Sequence, residues 1–377
     1  MSQVQVNSLR HLSASSDAIE LNSDGTCTAK ITDNGGNQFA NRNKIINGEF
    51  RINQRNHSGS AGHNVYTLDR WKYARSANTE FSQDQSTETP DGFANSVKMT
   101  SIGSNGSTGA NDYAYWRYHI EGQDLQDLSK GTSAAKAFTL SFYFKSDVTG
   151  TFAISIQDEN SRMCNATYTV SNTNWNRYTI TIPADTTGTI ANSNANGLSI
   201  HFYIVAGSNH TSGSAVHTWG SYSASSVATG FNAHITTNSV NLYLTGVQLE
   251  ISDYATSFEH RSYSDELLRC MRYYKKLGDK GVDGQPLMTL ACQSSSLMRS
   301  GYEFIPEMRA APSITSSSII GITNGNGNAG SPSLTLSPVT NQSGRINATG
   351  MSGLVQGDAG WIQTNGTSGY IAFSAEL

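Results

Sequence analysis

The chain has 377 residues, of which 14% are charged and 37% hydrophobic, and its formal net charge is -4. That length suits two or three domains, and the lack of a basic excess argues against general nucleic-acid binding. No apolar run approaches the roughly 20 residues of a membrane span, and no charged-then-apolar leader opens the chain, so synthesis in a cytoplasm is expected.

The four cysteines, Cys27, Cys164, Cys270 and Cys292, lie far apart, with no CxxC and no paired histidine spacing. That argues against zinc and for free buried thiols. Residues 1–43 are polar and weakly patterned. Within them Ala18–Leu21 and Thr26–Ala29 flank Asp24-Gly25, a turn pair that predicts one hairpin. The segment is too small to bury its own core and reads as an arm that docks on another protein.

From Lys44 the pattern changes. Ile46, Phe50 and Ile52 share one parity, which predicts a strand over 46–53, and Trp71 and Tyr73 mark the next. Phe138, Leu140, Phe142 and Phe144 alternate with Thr139, Ser141, Tyr143 and Lys145. The same two-residue period recurs in Phe152–Ile156, Tyr178–Ile182 and Leu198–Ile204. Half-buried antiparallel strands joined by Gly, Asn and Ser turns follow, and residues 44–261 read as one jelly-roll sandwich.

Val240, Leu242 and Leu244 hold one parity, but Val247, Leu249 and Ile251 hold the other. A bulge at Gly246 would make that switch. Residues 262–278 read as a linker helix. Ser262 or Ser264 caps it, Asp265 and Glu266 lie in its first turn, and Arg269, Arg272, Lys275 and Lys276 lie toward its end before Gly278. Leu267, Met271 and Tyr274 form a fragment of a heptad seam. Residues 279–377 read as a second, small β-sandwich with strand signals at Leu287–Cys292, Gly301–Ile305, Met308–Thr315 and Tyr370–Ala375, and with a flexible loop at Asn324–Gly330. The fold class is therefore all-β, with an N-terminal arm and one linker helix.

Three runs carry a family resemblance. NKIINGEFRINQR at Asn43–Arg55 with LDRW at Leu68–Trp71 resembles the opening of a module common in tailed-phage fibre and tail proteins. TGVQLEISDYATSFEHRSYSDELLRCMRYY at Thr245–Tyr274 is similar to that module's closing strand and following helix, and FIPEMRAAPSIT at Phe304–Thr315 to the small β-domain that often comes next. The resemblance implies a carbohydrate-binding-module-like jelly roll on a virion protein, typically a homotrimeric fibre. The arm resembles leaders of fibre proteins from marine and cyanobacterial phages. One departure is Ile251-Ser252-Asp253, where a glycine-containing turn would be expected; another is that long collagen-like or coiled-coil stalks are missing, which implies a short fibre or one subunit of a compound appendage.

Candidate binding residues are aromatic and polar groups on the outward parity. Tyr143, His201, Tyr203 and Arg117, together with Tyr115, His119 and Tyr243, suit sugar stacking with flanking hydrogen bonds. They equally suit a subunit interface or a second core layer. Trp219 and Tyr222 in a Gly/Ser-rich loop are further sugar-stacking candidates, set against simple loop anchoring. Glu49 and Glu250 match the strand ends that hold calcium in jelly-roll carbohydrate-binding modules, set against two solvated acids, and calcium wants six to eight oxygens. No cofactor is required on this reading.

Catalysis finds little support. Asp158, Glu159, Asp69 and Asp112 show no spacing that marks a glycosidase pair, and GxSxG, HExxH and P-loop motifs are missing. The expectation is a non-enzymatic tail fibre, made in the host cytoplasm and carried on the virion tail. Its arm engages other tail proteins, its copies trimerise through Leu267, Met271 and Tyr274, and it attaches to a host surface glycan or receptor. A tail-spike glycan depolymerase and a non-adhesive tail or capsid decoration protein are the alternatives.

Overall fold

The computed structural model describes residues 8–9, 19–21, 23, 27–29, 41–102, 108–214, 217–233, 235, 237–323 and 327–377. In the N-terminal region Ile19–Leu21 pairs antiparallel with Cys27–Ala29, as the hairpin reading requires, and Ser8–Leu9 adds a third strand. The Asp24-Gly25 pair lies outside the described residues.

The middle of the chain is a β-sandwich of jelly-roll type. One antiparallel sheet has seven strands, and the sheet facing it has five, in the order Asn176–Ile182, Phe138–Ser146, Asn241–Glu250, Ser96–Ser101, Phe81–Ser86. The alternating parities meet between them: Phe142, Phe144, Leu242 and Leu244 from the five-stranded sheet pack against Phe152, Ile154, Ile200 and Phe202 from the other. These side chains are essentially solvent-free. Burying an aromatic or aliphatic side chain of this kind contributes about 1.5–3 kcal/mol.

The parity switch in the closing strand Asn241–Glu250 is a bulge. Thr245 pairs with Tyr143, but the next paired residue is Gln248, and Gly246 sits at φ 61°. A Cβ there would stand 2.7 Å from the Phe93 ring and 2.9 Å from Tyr143, so both the backbone and the space demand glycine.

Residues 46–53 do not form a strand. Asn47 and Phe50 adopt left-handed conformations at φ 58° and 55°, and the segment folds as successive turns. Of the three apolar residues, Phe50 and Ile52 are buried but Ile46 is only half-buried, and Ile45 takes the inward place instead, so the side chains turn inward from turns rather than from a pleat. Asn47 organises them. Its side-chain amide donates to the Ile52 and Asp69 carbonyls at 2.9 Å, its side-chain oxygen accepts from Ile52 N–H, and its own carbonyl accepts from the Trp71 indole at 3.0 Å. The segment then zips along the closing strand: Lys44 N–H donates to the Leu249 carbonyl and Val247 N–H to the Gly48 carbonyl, both at 2.9 Å. A Cβ on Gly48 would lie 2.2 Å from the Val247 oxygen.

The predicted helix begins where expected and ends early. It spans Tyr263–Met271, and Asp265 N–H donates to the Ser262 hydroxyl at 3.2 Å as an N-cap. Tyr274–Gly278 is instead a strand, paired with Tyr370–Ser374. That strand joins the C-terminal module, in which a three-stranded sheet packs with a second seven-stranded sheet around Met298, Phe304, Ile346, Ile362, Ile371 and Phe373. Gly327–Gly330, expected as loop, is a strand beside Ile319–Thr323; residues 324–326, the rest of that expected loop, lie outside the described residues. Cys164, Cys270 and Cys292 are buried free thiols.

Candidate functional site

The two sheets of the sandwich present outward faces of different fate. On the seven-stranded sheet the outward parity carries Tyr115, Arg117, His119, His201 and Tyr203. The segment after Ala206 folds back over part of this face, and Val227 and Ala228 pack against Tyr203, Ala153 and Met163. Backbone bonds hold the cover down: Ala228 N–H donates to the His210 carbonyl, and the Asn165 amide donates to the Ser226 carbonyl.

His201 and Tyr203 are therefore buried, and neither offers a face for a sugar to stack on. Tyr115 lies flat on His201 at 4.8 Å and closes the stack. His119 is equally buried, bonded to Ser199 and Asn196. Burial, helped by the nearby Arg117 charge, lowers its pKa to about 3, and burial drives His201 well below the ordinary histidine range. Arg117 is half-buried and donates to the Asn64 side chain at 2.5 Å.

Two further candidates separate. Trp219 is half-buried, its indole donates to the Pro183 carbonyl at 2.8 Å, and the Lys130 ammonium stands 4.4 Å from its ring centre. It anchors its loop. Tyr222 is 48% exposed, and its backbone N–H donates to the Ser161 carbonyl.

Tyr143 lies on the other sheet, whose outward face is covered at one end, where Thr139, Ser141, Thr245 and Gln248 are buried beneath Asn95 and residues 252–257, and half-exposed at the other, where Tyr143, Lys145, Tyr243 and Lys98 stand. Three adjacent strands set Lys145, Tyr243 and Lys98 side by side, since Tyr243 is the register partner of both lysines, and Asp84 continues the row beyond Lys98. The ammonium groups of Lys98 and Lys145 stand 5.8 and 5.6 Å from the Tyr243 ring centre. Trp175, just before the edge strand, brings its ring to 6.0 Å from Tyr243. Glu88 ties the row together, accepting from Lys145 at 2.8 Å and from the Trp175 indole at 3.3 Å. The Lys145 hydrogen bond holds its carboxyl below the usual range.

A second row sets Arg177 beside Tyr143, with Phe93 packed on Tyr143 at 5.2 Å. Aromatic faces flanked by fixed ammonium, guanidinium and carboxylate groups can stack the C–H side of a sugar and bond its hydroxyls. Lys98, Trp175 and Arg177 were not singled out from sequence. The parity opposite Val97 and Met99, and opposite Tyr178 and Ile180, carries the signal for the first and last.

The carboxylates considered for chemistry serve the framework. Asp158 and Asp185 both take the buried Lys130 ammonium, and Asp185 also pairs with Arg162. Asp69 accepts from the Gln54 backbone and side chain, and Asp112 accepts from Gly109 N–H and the Ser76 hydroxyl. Glu159 accepts from Ala191 N–H.

Glu250 and Glu49 take different partners. Glu250 accepts from Gln248, Thr256 N–H and the Thr256 hydroxyl, with Arg42 3.8 Å away, whereas Glu49 faces Arg51 and His260 at 3.4 Å. The acceptor sites that a calcium ion would use on Glu250 are already engaged. Among the described residues no group of three or more His, Cys, Asp or Glu stands together to hold a metal.

The trimer-seam candidates also part. Leu267 and Met271 line a groove of about 270 Å³ with Ile52, Asn53, Gln54 and Leu277. Tyr274 leaves the helical seam because it lies on a strand, where the Arg55 guanidinium covers its ring at 3.7 Å.

No family model matches the chain, and no curated protein matches it. Among solved structures it is similar to the enzymatically active domain of bacteriophage CBA120 tailspike protein 4, at TM-score 0.31 and 11% identity over 56% of this chain and 22% of that one. A family 11 carbohydrate-binding module of Clostridium thermocellum cellulosomal cellulase Lic26A-Cel5E aligns at TM-score 0.28 and 13% identity, over 53% of this chain and 95% of that one. A putative sugar-binding protein from Bacteroides thetaiotaomicron aligns at TM-score 0.29 and 10% identity, over 56% of this chain and all of that one.

Proposed function

We propose that the chain is a non-enzymatic attachment protein of a phage tail that binds host-surface glycan on the half-exposed end of the outward face of its five-stranded sheet. The observation that carries the glycan part is the row Trp175, Lys145, Tyr243 and Lys98, in which half-exposed ring faces and hydrogen-bonding groups lie side by side on one sheet face. A sheet face fixes such groups better than loops do, and a flat row suits a polymer lying across it. The virion part is supported by the resemblance of the runs at 43–55, 245–274 and 304–315 to tail-fibre modules. On the same reading the chain is a homotrimer, its N-terminal arm engages another tail protein, and no cofactor is needed. The exposed Tyr263 and Leu268 on the helix, next to Leu267 and Met271, offer apolar surface for the threefold contact. Several weak glycan sites on one trimer would then act together.

The glycan reading is tested on an oligosaccharide array with the intact chain, followed by titration of the best neutral ligand. Tyr243→Ala and Trp175→Ala should each weaken binding by about tenfold or more, because a lost aromatic stack is worth roughly 0.5–1.5 kcal/mol beyond its buried area. Unchanged affinity in both variants would refute the site. The fibre reading is tested by light scattering of the purified chain together with antibody labelling of virions. Trimer mass and label on the tail are expected, and a monomer at micromolar concentration or label over the head would overturn it.

A further inference from the structure

The C-terminal module carries a second polar surface, independent of the tyrosine row. Strands Leu297–Glu303 and Ser343–Thr349 run antiparallel, with Arg299 opposite Asn347 and Gly301 opposite Arg345. Met298 and Tyr302 turn inward; Met298 is fully buried and Tyr302 stacks on Phe373 at 4.7 Å. Arg299, Gly301 and Glu303 consequently share the outward face. At Gly301 nothing lies within 4 Å of where a Cβ would stand, so the floor is open. Arg299, Glu303, Arg345, Gln293 and Gln342 surround this floor in an open trough of about 910 Å³.

The two guanidinium groups are held by one edge only. Arg299 Nε donates to the Asn347 side-chain oxygen at 2.9 Å, and Arg345 Nε donates to the Ser337 carbonyl at 2.9 Å. Among the described residues neither arginine joins an ion pair, and their Nη groups donate to no protein acceptor. A guanidinium oriented through Nε with its fork free is set for bidentate capture of a carboxylate.

Glu303 in the same trough accepts hydroxyl donors and repels a dense polyanion, and the chain as a whole carries a net charge of -4. This combination fits a polymer with sparse carboxylates and many hydroxyls and disfavours nucleic acid. We propose that the trough binds an acidic glycan of the hexuronate class, with carboxylates on Arg299 and Arg345 and hydroxyls on Glu303, Gln293 and Gln342.

The probe is a polyuronate oligosaccharide, an alginate tetrasaccharide, titrated into the full chain by calorimetry and followed by backbone NMR. Saturable binding is expected, with wild-type shift changes centred on residues 299–303 and 343–345. Arg299→Gln and Arg345→Gln should each weaken it about tenfold or more, and Arg345→Lys should recover only part, because it restores charge without the fork. Tyr243→Ala should leave uronate affinity unchanged, which separates this site from the sheet face. Shift changes elsewhere, equal binding of a neutral mannose tetrasaccharide at the trough, or full affinity in both glutamine variants would overturn the proposal. Thermal melts of the variants matching wild type show that any loss is not unfolding.

Discussion

Buried ionisable side chains set how this protein responds to acid. His119 and His201 are held neutral, His119 with its pKa lowered to about 3 and His201 well below the ordinary 6.5, chiefly by burial. Unfolding releases both to bind protons near pH 6.5, so the unfolded chain takes up more protons than the native one below that pH, and stability falls as pH drops. Each histidine contributes a slope of up to about 1.4 kcal/mol per pH unit. Asp69 opposes them: burial, only partly offset by Arg55, raises its carboxyl to about 6, so the native state gains protons there as pH falls. Asp124 and Glu266, also raised by burial, join Asp69 at lower pH, so the loss from the two histidines is steepest near pH 6.5, before the three carboxyls have taken up most of their protons. Urea midpoints should fall from about pH 7 to about pH 5, and the double variant His119→Gln, His201→Phe should flatten that slope. A slope unchanged in the double variant would show that other groups set it.

At the scale of elements, alternating parity in the strands from Phe138 to Ile204 was readable because one face of each strand meets the other sheet. The switch at Gly246 was readable for the same reason, since an inserted residue must move the inward set by one. Residues 46–53 misled because Phe50 and Ile52 are buried by turns around Asn47, with Ile45 rather than Ile46 facing inward, and apolar spacing does not name the backbone that achieves burial. The helix end misled because Gly278 looks like its stop. The chain leaves the helix at Met271 instead, since the carbonyl of Tyr273 and the strand after it are claimed by the final strand and the Ala375 N–H. Helix pattern cannot register a competing partner about a hundred residues away.

The whole molecule is joined through its last residues. Glu376 lies between Arg55 and Arg70, each at 2.9 Å, and Arg70 is 1% exposed under the Tyr273 ring at 3.4 Å. Glu121 of the sandwich takes Arg272 and Tyr273 from the far end of the helix, and Arg309 reaches the Ala375, Glu376 and Asn194 carbonyls. The C-terminal end of the helix is therefore tied to the sandwich at the junction. Because removing one partner strands a buried charge, Glu376→Gln should cost about 3–5 kcal/mol. In scanning calorimetry wild type should unfold in one transition and the variant in two; two transitions already in wild type would show that the modules are not coupled.

The chain by itself determined the all-β class, the parity of the sandwich strands, the bulge at Gly246 and the capped helix start, because these follow from local periodicity and backbone chemistry. The sequence also marked the runs at 43–55, 245–274 and 304–315, and the fold shows these meeting at the closing strand and the module junction rather than at the tyrosine row. Which outward aromatic residues stay half-exposed was decided only in three dimensions. Tyr143 and Tyr203 have the same outward parity, and nothing local separates them. The return of residues 217–233 over one sheet buries Tyr203, and Tyr115 closes over His201, whereas Tyr143 and Tyr243 on the other sheet stay half-exposed. Parity fixes the side of a sheet a residue takes, but exposure depends on what else the chain lays over that side.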